Sequence, residues 1–176
     1  VGFGWTIEAM STPVRVRPAP YSLAGCNTFA NGVYRKAQLV DEWADTPPLE
    51  GSSVNAGARI MRDLGYITGW SWHASVDELI TALITDGPQV VGTSWYEGMS
   101  HPTDRGFVYP TGQLLGGHCY CATGYYGGRN EFIRFRQSWG AGWALNGDFF
   151  ITVRDFRRLW DEGGEGVMPI GRTRTV

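Results

Sequence analysis

The sequence predicts an α+β domain built from two packed halves, helical up to about residue 85 and stranded beyond it. Three observations carry this expectation. Apolar residues recur at helical spacing in the first half, and short runs rich in β-branched and aromatic residues, separated by glycine turns, fill the second. The 25 glycines and the 14% aromatic content, with eight Trp, favour many turns and a ring-lined cleft. Helices first and an antiparallel sheet later give an α+β arrangement rather than alternating βα units. The 176 residues suit one domain, residues 1–85 forming the helical half and 86–176 the β half.

Each element has its own signal. Phe3–Met10 has helical character and stops before Pro13, and Val14–Pro20 is proline-rich and extended or loop. Phe29–Trp43 places Phe29, Val33, Ala37, Val40 and Trp43 on one helical stripe, which Pro47, Pro48 and Gly51 close. Ser52 or Ser53 can cap a helix reaching Leu64, and Gly65 stands where a left-handed C-terminal residue belongs. Asp77–Thr85 is a short amphipathic helix, preceded by Ser75 and ended by Gly87 and Pro88. Strands are expected at Val90–Thr93, Phe107–Tyr109, His118–Thr123, Phe132–Gln137 and Phe149–Val153, with Gly127–Asn130 as a hairpin turn. Asp155–Trp160 reads as a short late helix, and no repeat or low-complexity tract interrupts the chain.

Composition removes several function classes. A formal charge of −2 lacks the basic surplus of a nucleic-acid binder. With 43% hydrophobic and 18% charged residues the chain is not of the disordered class. Its apolar stretches, Phe149–Val153 among them, are too short for a membrane-crossing helix. Val1–Trp5 does not read as a signal peptide, and the lack of an opening Met points to a start inside a longer product. Three Cys is an odd number, and Cys119 and Cys121 sit too close along a strand to bridge each other, so no disulfide framework is expected.

The chemistry centres on His118. Gly116 and Gly117 deliver it onto a strand, where the missing side chains let another chain approach closely. One hairpin later come Gln137, Ser138 and Trp139. Neighbouring antiparallel strands can set Gln137 beside the imidazole, so that its amide oxygen accepts the ring N–H and sets tautomer and orientation. Trp139 can cover that bond from water, which strengthens it.

These two segments resemble the papain-like cysteine peptidases, whose pattern is Gly-His-Ala, a strand, a turn, then Asn-Ser-Trp-Gly-x-x-Trp-Gly. Gly117-His118-Cys119 and Gln137-Ser138-Trp139-Gly140, followed by Trp143-Ala144 and Asn146-Gly147, match in order and spacing. Asp77–Leu83 with Gly87–Val91, Arg105–Val108 and Gly51–Ile67 extend the resemblance over the whole chain, most closely to compact phage and bacterial versions. It implies a papain-like fold: a helical half, an antiparallel β-barrel-like half, and a cleft between. It further implies thiol-dependent hydrolysis of peptide or amide bonds through a thioester. His118 is then the catalytic base, Gln137 its orienting partner and Trp139 the supporting indole. The substrate is a peptide or protein, and no cofactor is implied.

Two departures accompany the resemblance. The family nucleophile is a Cys opening the first long helix, and Val1–Trp5 resembles the stretch directly after it, so the nucleophile is expected just before Val1. Cys26, in Cys26-Asn27-Thr28-Phe29, is the rival nucleophile. Gln137 stands where the family has Asn, one methylene longer with the same carbonyl acceptor. A catalytically inactive papain-fold binding or structural module, and a peptidoglycan amidase with a similar Cys–His pair, are the alternative readings.

Other residues read more plainly. Strand alternation puts Cys119 and Cys121 on one face and His118 on the other, with no fourth ligand near, so no metal site is expected and both Cys serve as small buried residues. His73 is expected to be packed or exposed in a loop, and Asp161–Gly166 to be a solvated turn. Trp95–Met99 reads equally as a cleft rim or an ordinary loop.

Overall fold

The computed structural model describes residues 23–41 and 51–171, less the side chains of 23–27. The expected helix at Phe3–Met10, the extended Val14–Pro20 and the break at Pro47–Pro48 lie outside the described residues.

Helix α1 spans Leu23–Val40. It starts before Phe29, where the periodicity becomes clear, and stops short of Trp43. Its buried stripe is Ala30, Val33 and Ala37, at steps of three and four. Helix α2, Val54–Asp63, is capped by Ser53, whose side chain accepts the Ala56 N–H at 3.1 Å. At its other end Gly65 (φ +77°) donates to the Arg62 carbonyl and Tyr66 to the Met61 carbonyl, the paired bonds of a Schellman ending. Helix α3, Val76–Thr85, starts at Ser75, which accepts the Glu78 N–H at 3.2 Å.

Six antiparallel strands form one sheet: β1 (Gly69–Trp72), β2 (Gln89–Tyr96), β3 (Leu114–Tyr126), β4 (Phe132–Arg136), β5 (Asp148–Thr152) and β6 (Glu165–Ile170), in the order β1-β6-β2-β3-β4-β5. A 3-10 turn, Glu97–Ser100, follows β2, and helix α4, Val153–Asp161, follows β5 from its cap Thr152. Alternation along the strands divides the core. Val90 and Val167 pack with Val33, Ala37 and Met61 of α1 and α2. Val91, Tyr120, Phe135 and Phe149 pack with Leu79 of α3 and Phe156 of α4. Each fully buried large side chain contributes about 1.5–3 kcal/mol, so both helix pairs are held mainly by this apolar contact.

Three expectations need correction. Phe107–Tyr109 is not a strand; it touches the sheet through one parallel bridge, Phe107 to Phe150. Val108 donates to the Phe150 carbonyl, but Pro110 has no N–H and Thr111 turns back onto the Tyr109 carbonyl at 2.8 Å, so pairing stops. Strands β1 and β6 were not foreseen. Pro169 of β6 lies beyond Val167, the last β6 residue paired with β2, so its missing N–H removes no bond there. Asp161–Gly166 is accordingly not wholly a solvated turn: Glu165 opens β6 and is half-buried. His73 is buried, its Nε2 2.9 Å from Gln89 Oε1.

Candidate active site

His118 sits on β3 opposite Thr93 of β2. Gly116 has φ +139°, which requires glycine, and a Cβ on Gly116 or Gly117 would meet nothing within 4 Å. The strand before His118 is therefore open, as the sequence predicts. Gln137 is the first residue after β4 and is only 5% exposed. The structure brings the two together, with His118 Nε2 2.5 Å from Gln137 Oε1. An amide oxygen only accepts, so Nε2 carries the proton and Nδ1 is the nitrogen left to take one. Burial pushes the His118 pKa below its ordinary value, while the bond to Gln137 pulls it partly back up. The ring is therefore mainly neutral near pH 7, the state a base requires. Gln137 Nε2 is buried and meets no acceptor among the described residues.

Aromatic rings enclose the imidazole. Trp139 lies with its ring centre 5.3 Å from that of His118 and is 44% exposed, so it covers His118 from the solvent side. Tyr120 stacks at 5.7 Å, its hydroxyl bonded to Thr93 Oγ1 at 2.8 Å, and burial pushes its pKa up. Trp95, left undecided between rim and loop, is buried, with its ring centre 4.8 Å from that of His118. Trp139 belongs to a loop held between β4 and β5, where Arg136 donates to Asp148 at 2.6 Å and to the Asn146 carbonyl at 3.2 Å. Within that loop Ala144 (φ +48°) and Asn146 (φ +56°) adopt left-handed backbone.

The facing wall comes from the helical half. Asp41 Oδ2 accepts from Ser52 Oγ at 2.8 Å and from the Ser53 N–H at 2.6 Å, and Tyr34 accepts the Gly51 N–H at 2.9 Å, so the end of α1 fixes the loop that enters α2. Two adjoining concavities separate this wall from Gly117, His118 and Cys119. One, of about 240 Å³, reaches Val33, Ala37 and Ser138. The other, of about 430 Å³, reaches Thr93, Ser94 and Glu165. Glu165 was missed in the sequence because it lies in an acidic, glycine-rich tract. Burial raises its pKa, while the nearby backbone of Val54 lowers it in part. Gly92 makes room for it: a Cβ there would lie 2.9 Å from Val54 Cγ2 and 3.2 Å from Glu165 Oε1.

Cys121 is buried, as expected, whereas Cys119 is half-buried and lines the cleft. Cys26 falls in the first turn of α1, with its side chain outside the described residues. Among the described residues no group of three or more His, Cys, Asp or Glu is placed to hold a metal ion, and no helix is long and apolar enough to cross a membrane.

No family model matches the chain. Over 137 residues it is 27% identical to cathepsin B-like cysteine proteinase 5 of Caenorhabditis elegans, covering 75% of this chain and 40% of that protein. Procathepsin B S9 of Trypanosoma congolense aligns at a TM-score of 0.48 and 14% identity, over 61% of this chain and 37% of the other. Digestive procathepsin L 3 of the Tenebrio molitor larval midgut aligns at a TM-score of 0.52 and 14% identity, over 76% of this chain and 54% of the other. The fold is that of a papain-like cysteine peptidase. The chain spans 40% of the nematode relative's length and about half of the beetle proenzyme's. In this papain-like fold the cleft runs between the wall at Gly51–Val54 and the strand carrying His118.

Proposed function

We propose that the complete protein is a cysteine peptidase, with His118 as its base, Gln137 as the residue orienting that base and Trp139 as the indole covering their contact. The observation that carries this is the His118–Gln137 bond, set at the edge of a cleft within a papain-like fold. The nucleophile is assigned to a Cys preceding Val1, with Cys26 as the second candidate.

The reaction follows from the ring geometry. His118 Nδ1 takes the proton of the thiol, and Nε2–H keeps its bond to Gln137, so the imidazolium forms without losing a partner. The thiolate attacks the scissile carbonyl. The C–N bond breaks as the imidazolium returns its proton to the leaving amine, and a thioester remains. Water, deprotonated by His118, hydrolyses the thioester and restores the thiol. The carboxylate of Glu165 in the cleft favours a cationic side chain on the bound peptide.

The test uses the complete gene product and a thiol-alkylating peptide analogue, with the labelled residue located by mass spectrometry. The reading expects hydrolysis of peptide substrates and one labelled Cys, with both lost in His118→Ala. Label on Cys26 would move the nucleophile there. Folded protein with neither label nor hydrolysis would refute the reading in favour of a binding module. Cleavage confined to peptidoglycan stems would make it an amidase.

A further inference from the structure

We propose that Trp95 is a positioning residue for His118, holding the imidazole in the plane where Nε2 meets Gln137 and Nδ1 faces the cleft. Only the kinetic arm of its test rests on the peptidase reading above.

The backbone places Trp95 deliberately. The β2–β3 register slips between Trp95 and Tyr96, and Trp95 pairs with the left-handed Gly116. Trp95 precedes the slip and continues the inward alternation of Val91 and Thr93. Tyr96, after the slip, is half-buried against the same core, its hydroxyl donating to Glu162, the residue that caps the end of α4, at 2.8 Å with the Arg158 guanidinium 5.4 Å from its ring. Trp95 goes inward and is 4% exposed although it lies one residue from the end of its strand.

There it meets the imidazole at 63°, in the T-shaped arrangement that ring quadrupoles favour. The same indole reaches Trp139 at 5.3 Å, Phe149 at 5.7 Å and Tyr120 at 5.9 Å. It is thus a buried ring in contact at once with His118 on β3, the loop after β4 and β5, beside Trp139 and Tyr120, which also touch the imidazole. Its own orientation is anchored, since Nε1 donates to Ser100 Oγ at 3.1 Å. Trp143 Nε1 donates to the Ser100 carbonyl at 3.4 Å, so one residue of the 3-10 turn holds two indoles of the cluster. A core side chain needs only apolar contact. A tethered ring set edge-on to an imidazole also restricts rotation about the His118 side chain, adding to the one hydrogen bond to Gln137 and the faces of Tyr120 and Trp139. Among the described residues the titratable groups next to the imidazole are Tyr120, on the same face of the sheet, and Cys119, on the opposite one.

The experiment follows the His118 ring by NMR through a pH titration in the wild-type chain and in Trp95→Phe, Trp95→Leu and Ser100→Ala. Kinetics are measured on the same variants of the complete protein. Trp95→Leu admits water beside the ring and is expected to raise the His118 midpoint by about half a pH unit or more. It is also expected to speed exchange of the Nε2 proton and to lower kcat about tenfold with KM within about twofold. Trp95→Phe, which keeps an aromatic edge, recovers most of each change, and Ser100→Ala shows part of it. An unaltered His118 titration and exchange rate in both Trp95→Leu and Ser100→Ala, with only a lower melting temperature, would overturn the proposal. If Trp95→Leu does not fold, Ser100→Ala and Trp95→Phe decide the matter. Absence of turnover in the wild-type complete protein would refute the peptidase reading, while the titration would still decide the role of Trp95.

Discussion

Replacing Gln137 with Leu separates a catalytic amide from a structural one, because the two roles predict opposite outcomes. The substitution removes the acceptor 2.5 Å from His118 Nε2 and also removes the buried Nε2 of Gln137, which has no acceptor among the described residues. An unpaired buried donor costs about 1–3 kcal/mol, and deleting it offsets the loss of one hydrogen bond worth about 1 kcal/mol net and the now unpaired His118 N–H. Net stability is therefore expected to change by no more than about 1 kcal/mol, a melting shift of roughly 2–4 °C at this chain length. Activity has no such offset. A bond to an imidazolium is worth about 1.5–3 kcal/mol, so kcat/KM of the complete protein is expected to fall roughly 10- to 150-fold. The bond to Gln137 is what raises the His118 pKa against burial, so the midpoint seen by NMR moves down. That is the opposite direction from Trp95→Leu, two neighbours of one ring moving it opposite ways. The assays are calorimetric melting, turnover of a peptide substrate and the ring titration. A large loss of melting temperature with unchanged kcat/KM would refute the reasoning and leave Gln137 a structural residue.

Three further outcomes follow from the same geometry. Ala144→Gly relieves a left-handed backbone at φ +48°, worth about 1–2 kcal/mol, against roughly 0.5–1 kcal/mol of added unfolded-chain entropy, so a calorimetric melting rise of up to about 6 °C is expected. Glu165 has a folded pKa raised above 4.5, so the folded state binds its proton more tightly and stability falls as pH rises through that window. Glu165→Gln is thus expected to melt no lower than wild type at pH 7 and to show no gain once the wild-type carboxyl is protonated. In the complete protein it is expected to lower kcat/KM for peptides with Arg or Lys beside this site by about tenfold, the worth of one partly screened charge pair. His118 has a folded pKa lowered from 6.5, so its contribution is complete above pH 6.5 and is lost as pH falls through the folded value. His118→Gln is expected to flatten the part of the melting-temperature profile that lies below pH 6.5.

Much of this was legible because it is local. Ser53, Gly65 and Ser75 act on their own helix ends, and their chemistry is the same in a sequence as in a fold. Gln137 could be set beside His118 because one hairpin joins them. What stayed hidden depends on distant chain. β6 is a strand because β1 and β2 flank it, and Gly166 and Pro169 mask that in the sequence. Phe107–Tyr109 has strand composition, yet Pro110 ends its pairing. Trp95 reads equally as rim or loop until β2 is seen to run through it, and Glu165 as a solvated acid until β6 sets it in the cleft beside Val54.

The hairpin of β3 and β4 holds both the proposed base and its orienting amide, only 19 residues apart in the chain. The opposite wall is set by α1 and the entry to α2. Proton handling and substrate enclosure are therefore built by separate stretches of polypeptide. Within that wall Ser53 caps α2 and Val54 is buried in the core, while half-buried Ser52, bonded to Asp41, is the position at the lip. Under the proposed reading, such a division lets the shape of the cleft vary while the imidazole and its partner stay as they are.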